Sequence, residues 1–182
     1  FGGAICGPLF TFFCEWAVQI AKEENIKLIF PLMREGALYA RLLKLIIEYS
    51  DFDIDVNPLF VSRKSSCLAL CYNCFDKEFF YEICAGSGGI EECFRRLGIS
   101  DARDIYEHDL PRFDLAIRRK RTSELDTIYN IIMEHGLDTR INAGITTSKK
   151  LLGEYLLQNG GDKNFITLDS GSLGTIPQAI DN

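Results

Sequence analysis

The stretch from Phe165 to Gln178, FITLDSGSLGTIPQ, constrains the fold more than any other part of this 182-residue chain. Its apolar start predicts a short buried strand that ends at Asp169. A loop rich in glycine and hydroxyl groups follows, and Pro177 then fits the first turn of a helix. Such a loop can receive a phosphate, because free N–H groups and the helix dipole favour an anion. The stretch therefore predicts a phosphate site, with an ordinary strand-to-helix turn as the alternative.

The rest of the chain alternates helical and strand patterns, which is typical of an α/β fold with a mostly parallel sheet and flanking helices. Apolar spacing and capping signals predict helices over residues 8–24, 37–49, 78–85, 90–97, 123–135 and 148–158. Strands are predicted over residues 26–33, 58–62 and 165–168, and the first is apolar enough to be covered on both faces. A less regular helical insertion occupies residues 64–121. The last helix is expected to bury Leu151, Leu152, Tyr155 and Leu156.

Polar, loop-forming residues follow each of the three predicted strands. Ligands of parallel sheets bind outside the carboxyl ends of the strands, so we expect these residues to form one phosphate-binding site. Its expected members are Arg34, Glu35, Gly36, Ser62, Arg63, Ser170, Gly171, Ser172, Gly174 and Thr175. Asp169 is the expected catalytic carboxylate. The alternative for each arginine is an ordinary surface position.

Composition limits the partners and the compartment. The net charge of −6 argues against nucleic acid or an anionic membrane as the main partner. Seven cysteines, an odd and irregular set, indicate a reducing cytoplasm and not a disulfide scaffold. The apolar start, residues 4–21, is interrupted by polar and helix-breaking residues and is not expected to span a membrane. We expect residues 1–182 to form a single α/β domain, itself a fragment of a larger multidomain protein.

Two families resemble this chain at the strand ends. Met33–Arg34–Glu35–Gly36 and Asp169 to Thr175 resemble the pyrophosphate loop and the 5-phosphate loop of the phosphoribosyltransferase fold. That resemblance implies a Rossmann-like domain that binds phosphoribosyl pyrophosphate with Mg²⁺. Members of that fold typically carry two adjacent acids before the phosphate loop, whereas Leu168 precedes Asp169 here.

The second resemblance covers both ends of the chain and rests on FPLMREG, PLFVSRKS and ITLDSGSLGTIPQ. These segments look like a bacterial domain that accompanies hydrolase domains of the haloacid dehalogenase type, often beside glycosyltransferases in surface-polysaccharide loci. Phe60 stands where that family has tyrosine, and Glu35 where it has aspartate. The resemblance implies that other domains of the same parent chain are partners.

Two further motifs suggest other functions. Cys67, Cys71 and Cys74 have a C-x3-C-x2-C spacing that resembles radical S-adenosylmethionine enzymes, but on a short helix the same residues form one buried face of structural thiols. Asp169 could also be the nucleophile of a haloacid dehalogenase phosphatase. Gly171 stands where that motif needs a second acid, which disfavours this function.

Two functions remain as expectations. The first is glycosyl or phosphoribosyl transfer, with residues 170–175 on the phosphate, Arg34 and Arg63 on pyrophosphate, and Asp169 on the sugar hydroxyls or a Mg²⁺-bound water. The second is a non-catalytic binding or scaffolding module. Both involve a phosphorylated small molecule or the pocket shaped for one.

Overall fold

The structure, a computed structural model, describes residues 2–33, 36–50, 52–84, 89–102, 104–105, 122–169, 176–177 and 180. The helices are α1 (Gly7–Glu23), α2 (Gly36–Glu48), α3 (Arg63–Ser66), α4 (Lys77–Cys84), α5 (Ile90–Arg96), α6 (Thr122–Glu134) and α7 (Leu137–Gln158). The strands are β1 (Leu28–Pro31), β2 (Asp55–Val56) and β3 (Phe165–Leu168). A π-helical turn over Gly2–Cys6 precedes α1, and a 3-10 turn over Leu68–Leu70 follows α3. The predicted α/β class with a parallel sheet is confirmed.

The chain divides into two compact units. The first consists of Phe1–Ser62 and Gly153–Pro177, and the second of Arg63–Leu152 and Gln178–Asn182. The sheet lies in the first unit, and the described residues of the second unit are helices and turns. The single-domain organisation within a larger protein stays a prediction.

The sheet of the first unit has the order β2–β1–β3, and both pairings are parallel. All four residues of the central strand β1 are buried, as its continuous apolar sequence predicts. Helices α1 and α2 bury small and aromatic side chains against this sheet. The buried residues of this core are Cys14, Ala17, Val18, Ala21, Ile29, Tyr39, Leu43 and Leu168.

Helix α2 packs on the end of β1 at very short range. The N–H of Gly36 donates to the carbonyl of Leu32 at 3.0 Å, so the helix begins directly after the strand. A Cβ at position 36 would lie 2.8 Å from the carbonyl carbon of Pro31 and 3.0 Å from its oxygen. Only glycine therefore allows this approach of the helix start to the strand end.

The prediction of a strand over residues 58–62 is wrong in its position. The paired strand is Asp55–Val56, and beyond it only Leu59 forms an isolated bridge to β1. The N–H groups of Asn57 and Leu59 donate to carbonyls of β1, whereas the intervening Pro58 has no N–H to offer. Proline is tolerated here because its nitrogen faces the open edge of the sheet. The apolar pattern that suggested the strand is therefore displaced from the paired residues.

The prediction of the last helix is too short at its start. Helix α7 begins at Leu137, directly after Gly136 ends α6 with a φ of +64°. Ile141 and Ile145, one helical turn apart, are buried and extend the apolar face toward the start. Asn142 and Gly144 between them weaken the local helical signal. The predicted burial of Leu151 is also wrong, because that side chain is 59% exposed.

Helix α1 carries apolar side chains on two opposite faces. One face packs on the sheet, and the other exposes Leu9, Phe12 and Trp16 by more than half of their surface, and Ile5 in the preceding turn is also more than half exposed. By length and composition the helix over Ala4–Glu23 could cross a membrane, with a mean hydropathy of 1.4, but the core helix of a soluble protein and a signal sequence meet the same criteria. The expectation that no membrane is a partner therefore stays a prediction.

The second unit has an aromatic core. The ring of Phe75 packs against those of Phe80 and Tyr129, with centroids 6.2 and 5.7 Å away. The backbone N–H of Phe75 also donates to the side-chain oxygen of Asn142 at 2.7 Å, which fixes the start of α4 against α7. These contacts hold four segments of the unit around one buried centre.

A disulfide joins Cys84, at the end of α4, to Cys93 in α5. Both residues are fully buried in the core of the second unit. The spacing of the two cysteines along the chain does not indicate this pair, because the bond depends on where α4 and α5 place them. Disulfides persist in oxidising compartments, so this bond favours such a compartment, whereas the odd and irregular set of cysteines favours the cytoplasm. The location stays a prediction.

Substitution of Gly36 by alanine tests the contact between α2 and β1. We expect Gly36→Ala to lower the free energy of unfolding by about 1–3 kcal/mol, because the added methyl group meets backbone that must shift. The matched control is Gly153→Ala in α7, where nothing lies within 4 Å of the added methyl group. That control should be neutral or more stable by about 0.5–1 kcal/mol. Urea unfolding measures both, and equal midpoints for the two variants would contradict the packing described.

The disulfide should lower the mass of the protein and raise its free energy of unfolding. The unreduced protein should be two hydrogen atoms lighter than the fully reduced chain, with Cys84 and Cys93 in one linked peptide. Closing a loop with a sequence separation of 9 should stabilise the fold by about 2–3 kcal/mol. We expect the double variant Cys84→Ala/Cys93→Ala to unfold at lower urea, whereas Cys74→Ala, at an exposed free cysteine, should not. Alkylation of both residues in the native, unreduced protein would show that the bond does not form.

Candidate functional site at the carboxyl edge of the sheet

The central strand is tied to both of its neighbours at its carboxyl end. The N–H of Leu32 donates to the carbonyl of Leu168 at 2.9 Å, and the N–H of Met33 donates to the carbonyl of Leu59 at 3.0 Å. The chain segments that leave the three strands therefore start side by side. This is the adjacency that the sequence predicts for the site.

The start of α2 and the end of β3 bring two chemical groups to this edge. Gly36, a predicted site residue, is buried where α2 begins; its own N–H donates to Leu32, and the helix dipole favours an anion at this end of the helix. Asp169 follows the buried Leu168 and is half-buried at the end of β3. A helix N-terminus and a carboxylate thus lie at the ends of neighbouring strands.

The β2 side of the edge contributes an aromatic side chain, that of Phe60, which the predicted site did not include. Phe60 is 74% exposed, while Leu59 and Val61 on either side of it are buried. Its backbone N–H donates to the hydroxyl of Tyr155 at 2.9 Å, in the part of α7 that belongs to the first unit. Ser62, a predicted site residue, is exposed at the end of the same segment.

Several predicted site residues lie outside the described residues. They are Arg34, Glu35, Ser170, Gly171, Ser172, Gly174 and Thr175. Arg63 is the first residue of α3 and of the second unit, and its side chain is not described either. The site is therefore built from Gly36, Ser62 and Asp169 among the predicted residues, together with Phe60 and Tyr155. The roles given to the other residues stay predictions.

The opposite, amino edge of the sheet has two open depressions, with volumes of about 440 and 350 Å³. Their charged groups are already paired. Lys163 donates to Asp55 at 2.5 Å, and Lys27 lies 3.7 Å from Asp53. The hydrogen bond to Asp55 raises the pKa of Lys163 and keeps its charge engaged. An anionic ligand would have to break these pairs, so we do not assign the site to this edge.

The three cysteines with C-x3-C-x2-C spacing do not share a helix face. The turn over Leu68–Leu70 ends at Cys71, whose ψ of 118° is extended, so the predicted short helix is wrong. Cys71 is buried, Cys74 is exposed, and the half-buried Cys67 donates its S–H to the carbonyl of Arg96 at 3.3 Å. Burial raises the pKa of both Cys67 and Cys71. Within the described part of the chain, no three histidine, cysteine or acidic side chains group as metal ligands do.

Comparison with known proteins does not identify a family for this chain. No protein-family model matches the chain, and no curated protein is significantly similar to it.

The different surroundings of the three cysteines predict their reactivity. Iodoacetamide should alkylate Cys74 faster than Cys67 and Cys71 in the native protein, because Cys74 is exposed while burial keeps the other two thiols protonated. Peptide mass spectrometry after short labelling times measures the three rates, with urea-unfolded protein as the control. Equal native rates would contradict this arrangement.

Proposed function

We propose that the carboxyl edge of this sheet binds a phosphorylated sugar or nucleotide of the phosphoribosyl pyrophosphate type, in a phosphoribosyltransferase-like or Rossmann-like domain. The observation that carries the proposal is the adjacency of the three strand ends, where Leu32 and Met33 bond to the segments on either side. Asp169 and the start of α2 occupy this edge. In open α/β sheets this is the place where ligands bind.

In the proposed complex each group binds a different part of the ligand. The helix start after Gly36 and the hydroxyl-rich residues 170–175 bind phosphate, and Asp169 binds the sugar hydroxyls. Mg²⁺ is commonly held by one or two carboxylates together with substrate phosphates. Asp169 fits that role as the carboxylate placed at this edge among the described residues.

The reaction that suits these groups is transfer at the anomeric carbon with pyrophosphate as the leaving group. The bond from that carbon to pyrophosphate oxygen breaks, and a bond to an acceptor nucleophile forms, with the acceptor proton lost to solvent. Catalysis of this kind depends on positioning and on stabilising negative charge, and it needs no dedicated proton donor. Bound Mg²⁺ supplies further charge stabilisation.

A second candidate is a non-catalytic module that binds the ligand inside a larger polysaccharide-assembly protein with a haloacid dehalogenase-type hydrolase domain. The observation that favours it is the residue before Asp169, which is the buried Leu168. Phosphoribosyltransferases typically place a second acid there to bind the ribose hydroxyls. Binding without transfer is consistent with a single carboxylate at the end of β3.

Calorimetric titration with phosphoribosyl pyrophosphate and Mg²⁺ tests the proposal. We expect saturable binding that Asp169→Asn weakens by about 1.5–3 kcal/mol, roughly 10- to 150-fold, because a hydrogen bond to a charged group is lost. The matched control is Asp53→Asn, a fully exposed carboxylate at the amino edge, which should bind like the wild type.

The same titration separates the two candidates. Binding with product formation from an added acceptor supports transfer, and binding without it supports the module. A folded wild-type protein that binds neither this ligand nor pyrophosphate would contradict the proposed site.

A further inference from the structure

Phe60 is the most unusual side chain at the carboxyl edge. It is 74% exposed, although it stands between Leu59, at 0%, and Val61, at 5%. Successive side chains of an extended segment point to opposite sides, which explains how its neighbours reach the core while the ring of Phe60 does not.

The backbone around Phe60 is held at consecutive points. The N–H of Leu59 donates to Pro31 and its carbonyl accepts from Met33, both at 3.0 Å. The next N–H, that of Phe60, donates to the hydroxyl of Tyr155 at 2.9 Å. The exposed ring therefore projects from a segment whose hydrogen bonds are satisfied on both sides, and its position is set by the sheet and by α7.

A single exposed apolar side chain is common on proteins and carries no function by itself. The location of Phe60 distinguishes it from Tyr49, which is 87% exposed just beyond the end of α2. Helix α2 runs away from the carboxyl edge for 13 residues, about 20 Å at the usual rise. Phe60 instead lies at the edge where Asp169 and the helix start are placed.

The spacing of the strands sets the size of a ligand that could reach both Asp169 and Phe60. Strands β2 and β3 flank β1, and neighbouring strands lie about 4.8 Å apart, so their ends are separated by about 10 Å. A sugar phosphate held at the end of β3 can extend a ring attached to its anomeric carbon toward the end of β2. Nucleobases stack on exposed aromatic rings through their flat faces.

We infer that Phe60, positioned by Tyr155, is a base-stacking subsite, so that the ligand of this edge is a nucleotide and not a bare sugar phosphate. This inference rests on the proposed function and deepens it by naming the ligand class. Phe60 touches the base, and Tyr155 acts through the backbone of Phe60 as a positioning residue.

Binding of adenosine 5′-monophosphate and of ribose 5-phosphate, each with Mg²⁺, tests the inference by calorimetry. Wild-type protein should bind the nucleotide more tightly than the sugar phosphate. Phe60→Ala should weaken nucleotide binding roughly 5- to 150-fold and leave sugar phosphate binding within about twofold. Tyr155→Phe should weaken nucleotide binding by a smaller factor and leave sugar phosphate binding unchanged. The variant keeps the ring of Phe60 but removes the hydroxyl that accepts from the N–H of Phe60 and so positions that ring. Tyr49→Ala is the matched control and should change neither affinity.

The outcomes separate this inference from the proposed function. Equal affinities for the two ligands, or an equal loss of both in Phe60→Ala, would overturn the stacking subsite. Binding of ribose 5-phosphate that Asp169→Asn still abolishes would in that case leave the proposed function standing. If neither ligand binds in a manner that depends on Asp169, both the proposed function and this inference fail. Circular dichroism of each variant confirms that it is folded before its affinity is compared.

Discussion

The position of β1 between two parallel neighbours is the constraint on which the rest of the first unit depends. Its residues are all buried, and its backbone bonds to β2 on one side and to β3 on the other. A shift of the register by one residue would turn its side chains to the opposite face and break both ladders. Because the register is fixed, the segments that leave the strands meet at one edge. The tight contact of Gly36 with Pro31 then places the start of α2 at the same edge.

The two edges of the sheet present different chemical groups. At the amino edge the lysine and aspartate side chains pair with one another, as Lys163 does with Asp55. Exposed pairs of this kind contribute little to stability, but they leave no net charge to attract an ion. At the carboxyl edge the described groups are a helix start, a half-buried carboxylate and an exposed ring. The depression of about 440 Å³ at the amino edge is therefore a weaker candidate for a phosphate site than the carboxyl edge.

The sequence was informative where a signal is local and strong. Strand β3 was predicted with its observed bounds, and the starts or ends of α1, α2 and α6 were predicted within one or two residues. Strand β2 was misplaced because an edge pairing of two residues depends on its partner and not on its own apolar pattern. The pair of Cys84 and Cys93 and the hydrogen bond from Phe60 to Tyr155 depend on tertiary positions, which spacing along the chain does not reveal. Exposure of Phe60 was unpredictable for the same reason, since an isolated phenylalanine usually indicates a core.

The described groups of the proposed site, the carboxylate of Asp169 and the exposed ring of Phe60, are suited to positioning a ligand. In the proposed complex Asp169 and the helix start hold the charged part of the ligand, and stacking on Phe60 holds its base. In the proposed transfer a base stacked on Phe60 would be the acceptor, whose bond to the anomeric carbon forms as the bond to pyrophosphate breaks, and stacking would orient it for that exchange. The hydrogen bond from Phe60 to Tyr155 then matters because a misplaced ring would weaken that orientation. An extended segment with an anchored backbone provides such a ring without a deep pocket.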